Sequence, residues 1–345
     1  MTRRLLQAMA GAPHGGAEIF FVRLAGGLQR AGETQRVLIR RDPARSSALR
    51  QAGIEVSEIR FGGRCDIASR LAFRREIGAW RPNLVLTWMS RATALCPRGE
   101  FVHVARLGGY YDLKYYRHCD HLIANTEAIA DYATGRGWPR GRVHYLPNFV
   151  PDDPHDRPAV DHSDLPERPA GAPLVLALGR LHPNKGFDLL IQALAQTREA
   201  HLWLAGDGPL RGELAAQAAR LGLGARVRFL GWRDDTAPLF AAADLLVCPS
   251  RVEPLGNVVI EAWAAGVPVV ATASDGPAGL IENGETGILA PVDDVEALAD
   301  AINTLCKNSG LRERFAAAGH RAYEARFTEA EVVAAYRNLF DRVVG

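Results

Sequence analysis

SRVEPLGNVVIEAWAAGVPVVAT (residues 250–272) carries two carboxylates, Glu253 and Glu261, in a run that otherwise reads as core. The apolar stretch DLLVCP precedes it and VPVVAT closes it, so each end reads as a short buried strand. Between them Pro254 and Gly256 shape a turn, and a helix begins around Asn257 with NVVIEAWAAG. Strand, loop, helix and strand in that order form the repeating unit of a parallel sheet covered on both faces. The amides of Leu255, Gly256, Asn257 and Val258 would point at a bound anion, with the helix dipole behind them. Glu261 lies one turn inside the helix, so the two carboxylates can reach opposite ends of one ligand. Carboxylates accept hydrogen bonds from vicinal hydroxyls, which recur in sugars and in ribose. Glu261 could be an exposed helix residue, but its neighbours Val258, Val259, Ile260, Ala262 and Trp263 suit a buried helix. An unpartnered carboxylate there would cost several kcal/mol, which favours a ligand partner.

The same alternation extends in both directions. In the first half RLLQAMA, QRVLIR, IEVSEIRF, NLVLTWM, FVHVARLG, HLIAN and VHYLP read as strands, with helices starting near Ala17, Ala44, Ala68 and Glu127. From residue 147 to 173 the periodicity stops in a segment with seven prolines, a poor strand or helix and a good linker. It restarts with LVLALG, HLWLAG, VRFLG, DLLVCP, VPVVAT and GILAP. The expected organisation is an α/β chain: a doubly wound domain over 1–150, a Pro-rich linker over 151–172 and a second doubly wound domain over 173–325. A helix over 326–345 is long enough to pack back toward the first domain. Two such sheets leave a cleft, and ligands bind beyond the carboxyl ends of their strands.

At 345 residues, 48% hydrophobic and 23% charged, the composition is that of a soluble globular protein of two domains. No apolar run approaches the ~20 residues that span a bilayer, and the apolar part of the N-terminus is too short for a secretory signal. Five scattered cysteines without a C-x-x-C pair suit a reducing cytoplasm. The net charge of +2 conceals an asymmetry. Residues 1–150 hold 23 Lys and Arg against 12 Asp and Glu, or +11, whereas the remainder holds 18 against 27, or −9. A basic half that includes Arg64, Arg70, Arg74, Arg75 and Arg81 should attract an anionic partner; solvated faces of an Arg-rich chain are the plainer reading. IASRLAFRREIGAW suits either an interfacial helix or one that covers the sheet. No basic motif interleaved with aromatics points to nucleic acid.

Three further loops follow strands. GAPHGGAEIF places Gly15 and Gly16 at the start of a helix, where an anion or a plain tight turn would explain them equally well. It lacks the G-x-G-x-x-G spacing of a dinucleotide site. LGRLHPNKGFDLLIQA sends Arg180 and Lys185 from one loop, and two cations there can neutralise a diphosphate without a metal; surface charge is the alternative. LAGDGPLRGEL holds Gly206 and Gly208 in a sharp turn that need not imply a ligand.

GRLHPNKGFDLLIQA, LAGDGP, FLGWRDD and SRVEPLGNVVIEAWAAGVPVVAT together resemble, in order and spacing, the retaining glycosyltransferases of family 4. Glu253 and Glu261 match that family's E-x7-E motif, and PHGGAE matches its N-terminal glycine loop. The resemblance is strong over 171–300 and moderate over the first half. It implies the GT-B fold, two Rossmann-like domains facing a central cleft, and metal-independent transfer of a hexose from a UDP- or GDP-sugar to an acceptor hydroxyl with retention. Residue by residue, it implies that Arg180 and Lys185 hold the diphosphate, Glu261 the ribose and Glu253 the sugar. Pro254 to Val258, with Gly15, Gly16, Gly206 and Gly208, would frame the donor, and Trp232 or Arg233 would lie beside the base. No cofactor is implied, and no Asp-x-Asp triplet is present to hold a metal. One departure stands out: where many members have a mid-domain His, this chain offers Arg106, Gly108, Gly109, Tyr110 and Tyr111 in a loop that faces acceptors, while His103 falls within a strand. With a saccharide or glycolipid as acceptor, the basic first half favours an anionic one, in cell-envelope polysaccharide or lipopolysaccharide synthesis at the cytoplasmic face of the inner membrane. A GT-B epimerase and a non-catalytic nucleotide-sugar binder are the competing readings.

Overall fold

Strands buried on both faces of a sheet read as near-continuous apolar runs, and this chain supplies such runs twice. The computed structural model describes residues 3–12, 15–62, 66–150, 165–167, 171–197, 199–233 and 235–345. Most of the expected linker over 151–172 lies outside them, as do Pro13, His14, Arg64 and Cys65. The chain forms two units, Met1–Phe149 with Glu329–Gly345, and Val150–Thr328.

The first unit runs β1 (Arg4–Met9), α1 (Gly16–Arg30), β2 (Thr34–Arg40), α2 (Pro43–Gln51), β3 (Glu55–Ile59), α3 (Ile67–Trp80), β4 (Leu84–Trp88), α4 (Met89–Leu95), β5 (Val102–Leu107), β6 (His121–Ala124), α5 (Glu127–Gly135) and β7 (Val143–Tyr145). All neighbours pair in parallel in the order β3-β2-β1-β4-β5-β6-β7. The order therefore reverses between β1 and β4, the switch point where such sheets open a crevice. Capping sets several helix starts: Asp42 accepts from the Arg45 amide with Pro43 in the first turn, and Thr126 accepts from Ile129. The buried amide of Gln7 is satisfied by Gln35 at 2.9 Å and by the Trp88 indole at 3.1 Å. Helix α4 is absent from the sequence reading because it follows β4 with no intervening turn residue; Met89 makes the corner at φ 63°. Helix α3 covers the sheet through Phe73 and leaves Ile67 and Leu71 68% and 58% exposed.

The second unit runs β8 (Leu174–Leu178), α6 (Phe187–Ala195), β9 (His201–Ala205), α7 (Arg211–Arg220), β10 (Val227–Gly231), α8 (Ala237–Ala242), β11 (Leu245–Cys248), α9 (Asn257–Ala264), β12 (Val269–Thr272), α10 (Asp275–Leu280), β13 (Ile288–Ala290), α11 (Val295–Lys307) and α12 (Ser309–Arg326). Its sheet is also parallel, in the order β10-β9-β8-β11-β12-β13, with the switch point between β8 and β11.

Helix α13 (Glu329–Val344) joins the first unit. It buries Val332, Val333, Tyr336, Leu339 and Phe340 in a cluster shared with Phe21, Leu24 and Leu28 of α1. Glu33, buried, takes Arg3 at 3.0 Å and Arg337 at 2.9 Å, tying both chain ends to β2. No helix among the described residues is long and apolar enough to cross a membrane.

Candidate active site

The switch point of the second unit brings the loops after β8 and β11 together. Arg251 and Val252 donate their amides to the Asn184 carbonyl at 2.8 and 3.1 Å. The Arg251 guanidinium grips Asp188 with two bonds of 2.7 Å and reaches Asp293 at 2.5 Å. Loop spacing is thus set by a charged clamp that the sequence reading missed; the opposite charges in GFDLL and SRVEP are its signal. The β9 loop closes on the same point. A Cβ on Gly206, whose φ is 147°, would lie 1.8 Å from the Gly179 carbonyl oxygen, so only glycine admits this approach.

Lys185 and Glu253 meet here in an ion pair, with Ser250 Oγ donating to Glu253 Oε2 at 3.3 Å. Burial would lower the Lys185 pKa, but the charge and hydrogen bond of Glu253 outweigh it, aided by Cys248 and Glu261, and the ammonium is held above its ordinary value. Glu261 is half-buried on α9. Three of the residues singled out in the sequence therefore share one electrostatic neighbourhood. Arg180, in the same loop after β8, has an exposed side chain.

The turn between the two glutamates is held from outside. Gly276 donates its amide to the Glu253 carbonyl at 2.7 Å, and Thr272 Oγ1 donates to the Ser250 carbonyl at 2.6 Å. Gly256 takes the N-cap position of α9 with φ 81° and ψ 48°, and no side chain caps the helix. That left-handed corner is cheap for glycine alone and turns the first amides of α9, with the positive end of its dipole, toward the loop. Pro254 is half-buried and Leu255 buried against this turn. Trp232, 58% exposed, follows β10, and Arg233 is bound to Asp235 at 2.9 and 2.6 Å.

In the first unit Gly15 is the N-cap residue of α1 and Gly16 its first residue. The buried Glu18 accepts from the Ala12 amide at 2.7 Å and so ties the loop back onto the helix. Arg106 corrects the sequence reading: it lies in β5 rather than in the loop after it. The strand continues through it because its guanidinium is buried between the rings of Phe20 and Trp88, at 4.8 and 4.7 Å. There it donates to Tyr336 Oη at 3.0 Å and to Asn148. Gly109, Tyr110 and Tyr111 do form the loop. Tyr110 is 44% exposed and packs edge-on against Tyr132 at 5.3 Å. Burial raises the Tyr111 hydroxyl pKa despite the nearby Arg106 charge. His103 is buried in β5, shares a 2.9 Å bond with Thr87, and is kept neutral by burial, its pKa lowered to about 4. Among the described residues no group of three His, Cys, Asp or Glu side chains could hold a metal ion.

Comparisons with known proteins agree on both halves. Residues 14–154 match the model described as Glycosyltransferase Family 4, and residues 172–308 the model described as Glycosyl transferases group 1. The lipopolysaccharide core biosynthesis glycosyltransferase LpsE of Rhizobium meliloti is 38% identical over 329 residues, 94% of this chain and 95% of its own. LpsD of the same organism is 35% identical over 341 residues, 96% of each chain. Among solved structures, Anabaena Alr3699/HepE in complex with UDP aligns with TM-score 0.83 and 25% identity over 99% of this chain and 100% of that one. WaaG, a glycosyltransferase involved in lipopolysaccharide biosynthesis, aligns with TM-score 0.71 and 21% identity over 99% of this chain and 100% of its own.

Proposed function

We propose a reaction from one premise: this chain belongs to the family 4 glycosyltransferases and has their two-unit GT-B fold. It is a glycosyltransferase of lipopolysaccharide or related polysaccharide synthesis. In our reading it transfers a hexosyl group from a UDP-sugar, or a GDP-sugar, to a hydroxyl of a saccharide or glycolipid, with retention and without a metal. The observation that carries this reading is the meeting of Lys185, Glu253 and Glu261 beside the Gly256 corner of α9. The UDP bound by the Anabaena neighbour favours uridine.

As the glycosidic bond breaks, negative charge grows on the departing diphosphate. Lys185 is already held in place by Glu253, Arg180 adds a second cation, and the amides from Leu255 to Val258 add dipoles. Charge stabilisers in position before the reaction need no reorganisation when it occurs. Glu253 then orients the sugar hydroxyls, Glu261 the ribose, and Trp232 or Arg233 the base, with Gly206 and Gly208 framing the donor. Gly15 and Gly16 offer an anion-binding helix start. Arg106, Gly109, Tyr110 and Tyr111 stand on the acceptor side, where Arg106 acts by positioning because it is buried. Attack from the face that the diphosphate leaves lets a phosphate oxygen take the acceptor's proton, so no catalytic histidine is required. His103, neutral and enclosed in the sheet, suits that route.

The exposed Ile67 and Leu71 beside Arg70, Arg74 and Arg75 on α3 support a peripheral attachment to the cytoplasmic face of an anionic membrane. Vesicles of phosphatidylglycerol should co-sediment the protein and vesicles of phosphatidylcholine should not; equal binding would remove this part of the proposal. For the reaction itself, a thermal-shift series with UDP, GDP and their sugar conjugates should show stabilisation. Products from the best donor, followed by proton NMR with EDTA present, should keep the donor's anomeric configuration. No stabilisation by any conjugate, an inverted product, or activity that EDTA abolishes and magnesium restores would each overturn the corresponding element.

A further inference from the structure

The carboxyl edge of the first sheet gathers three arginines from different elements, and none belongs to a motif of the donor site. Arg40 ends β2, Arg45 lies in the first turn of α2, and Arg91 lies in α4 directly beyond β4. Arg40 Nη2 donates to the Phe61 carbonyl at 2.7 Å, and Arg91 Nη1 donates to the same oxygen at 3.4 Å. Arg45 Nη2 donates to the Ala12 carbonyl, in the loop after β1, at 2.6 Å. The cluster thus sits at the β1/β4 switch point, where a doubly wound sheet takes its ligand.

Its charge is poorly balanced. Among the described residues Arg40 and Arg91 form no ion pair, while Arg45 pairs with Asp42 at 3.1 Å. The Arg40 pKa is lowered, first by burial and then by the charges of Arg91 and Arg45. Glu18, on α1 beside the β1 loop, is engaged by the Ala12 amide. The backbone around the cluster is strained as well. Phe61 and Met89, both bulky, have φ of 44° and 63°, and such corners in non-glycine residues gather at functional sites. Phe61 is pinned there: its amide donates to Ser69 Oγ at 3.0 Å and its buried ring packs edge-on against Phe73. The corner's carbonyl is what holds Arg40 and Arg91 side by side.

We propose that Arg40, Arg45 and Arg91 form a subsite for an anionic group, a phosphate or a carboxylate, carried by the saccharide acceptor. Guanidinium forks match the paired oxygens of either group. The subsite rests on the reading of the protein as a glycosyltransferase with a saccharide acceptor, and it gives the basic first half a specific task. Glucose 6-phosphate, glucuronate and glucose serve as probes, each titrated by ligand-observed NMR into the full chain with and without excess UDP. One or both anionic sugars should bind well and glucose far more weakly; comparing the two tells phosphate from carboxylate. Arg91→Gln and Arg40→Gln, each checked for an unchanged melting temperature, should weaken the anionic sugar about 10- to 100-fold, the range for a lost hydrogen bond to a charged group. Their affinity for UDP should be unchanged. Equal binding of glucose, or variants that bind the anionic sugar as the parent does, would overturn the subsite. So would variants that lose UDP affinity, since the cluster would then serve the donor. Failure of UDP to bind the parent, with the sugar results as expected, would instead overturn the donor reading and leave the subsite standing.

Discussion

Replacing Lys185 by Met strands the Glu253 carboxylate beside Ser250, and replacing Glu253 by Gln strands the ammonium. Two unit charges about 4 Å apart attract by ~4 kcal/mol at an effective dielectric near 20, before desolvation is subtracted. Breaking a fully buried pair costs about 3–5 kcal/mol, and an exposed pair contributes under about 1 kcal/mol. The Lys185 and Glu253 side chains are 25% and 13% exposed. That places each single variant between the limits, at about 1–3 kcal/mol. For a unit of this size the loss lowers the melting temperature by roughly 2–4 °C per kcal/mol. The double variant removes both charges and should recover most of the stability. Its transfer rate should stay about 10²–10³-fold down, the range for a lost electrostatic stabiliser. Differential scanning calorimetry and initial rates on the four proteins complete the cycle. A double variant no more stable than the singles would refute the pair; one that regained activity with stability would show Lys185 to be structural.

Three further outcomes can be measured. Gly206→Ala places a Cβ 1.8 Å from the Gly179 oxygen, so it should cost about 3 kcal/mol or more in chemical denaturation; a loss under about 1 kcal/mol would mean the loops part easily. Arg106→Leu removes the buried guanidinium that Tyr336 and Asn148 bind and should destabilise by about 2–4 kcal/mol, while UDP affinity, if the proposed donor site is right, should stay unchanged. The folded His103 pKa of about 4 lies below the ordinary 6.5, so this group's contribution is complete above pH 6.5 and is lost as the pH falls from there toward 4. Between pH 7 and pH 5 that amounts to about 2 kcal/mol, and His103→Gln should flatten the slope by that much in urea titrations.

Much of the fold was legible because the central strands of a parallel sheet, covered on both faces, read as near-continuous apolar runs, although edge strands such as β3 are only partly buried; every run from RLLQAMA to GILAP lies on a strand. Helix α9 starts at Asn257, as the turn read from Pro254 and Gly256 suggested, and the structure adds that Gly256 makes that turn as a left-handed corner. Glu253 and Lys185 were each legible, but their pairing was not, since it joins loops 68 residues apart. Arg106 was misplaced for a related reason. Its charge next to Gly108 reads as the end of a strand, and only the rings of Phe20 and Trp88, distant in sequence, make a buried guanidinium tolerable. The three arginines are scattered over the chain and meet only because β1 and β4 are neighbours in the sheet.

Helix α13 gives the first unit a split birth. Its core cluster is incomplete without Val332, Tyr336, Leu339 and Phe340, yet 179 residues of the second unit are made between Phe149 and Glu329. At about 5–20 residues per second, a ribosome needs about 10–35 s to bridge that gap. During that interval α1 waits with an apolar stripe uncovered and Arg106 lacks its Tyr336 partner, while the second unit can already close around its own sheet. Trimming the last turns of this chain should therefore show first as aggregation seeded by its earliest-made segment.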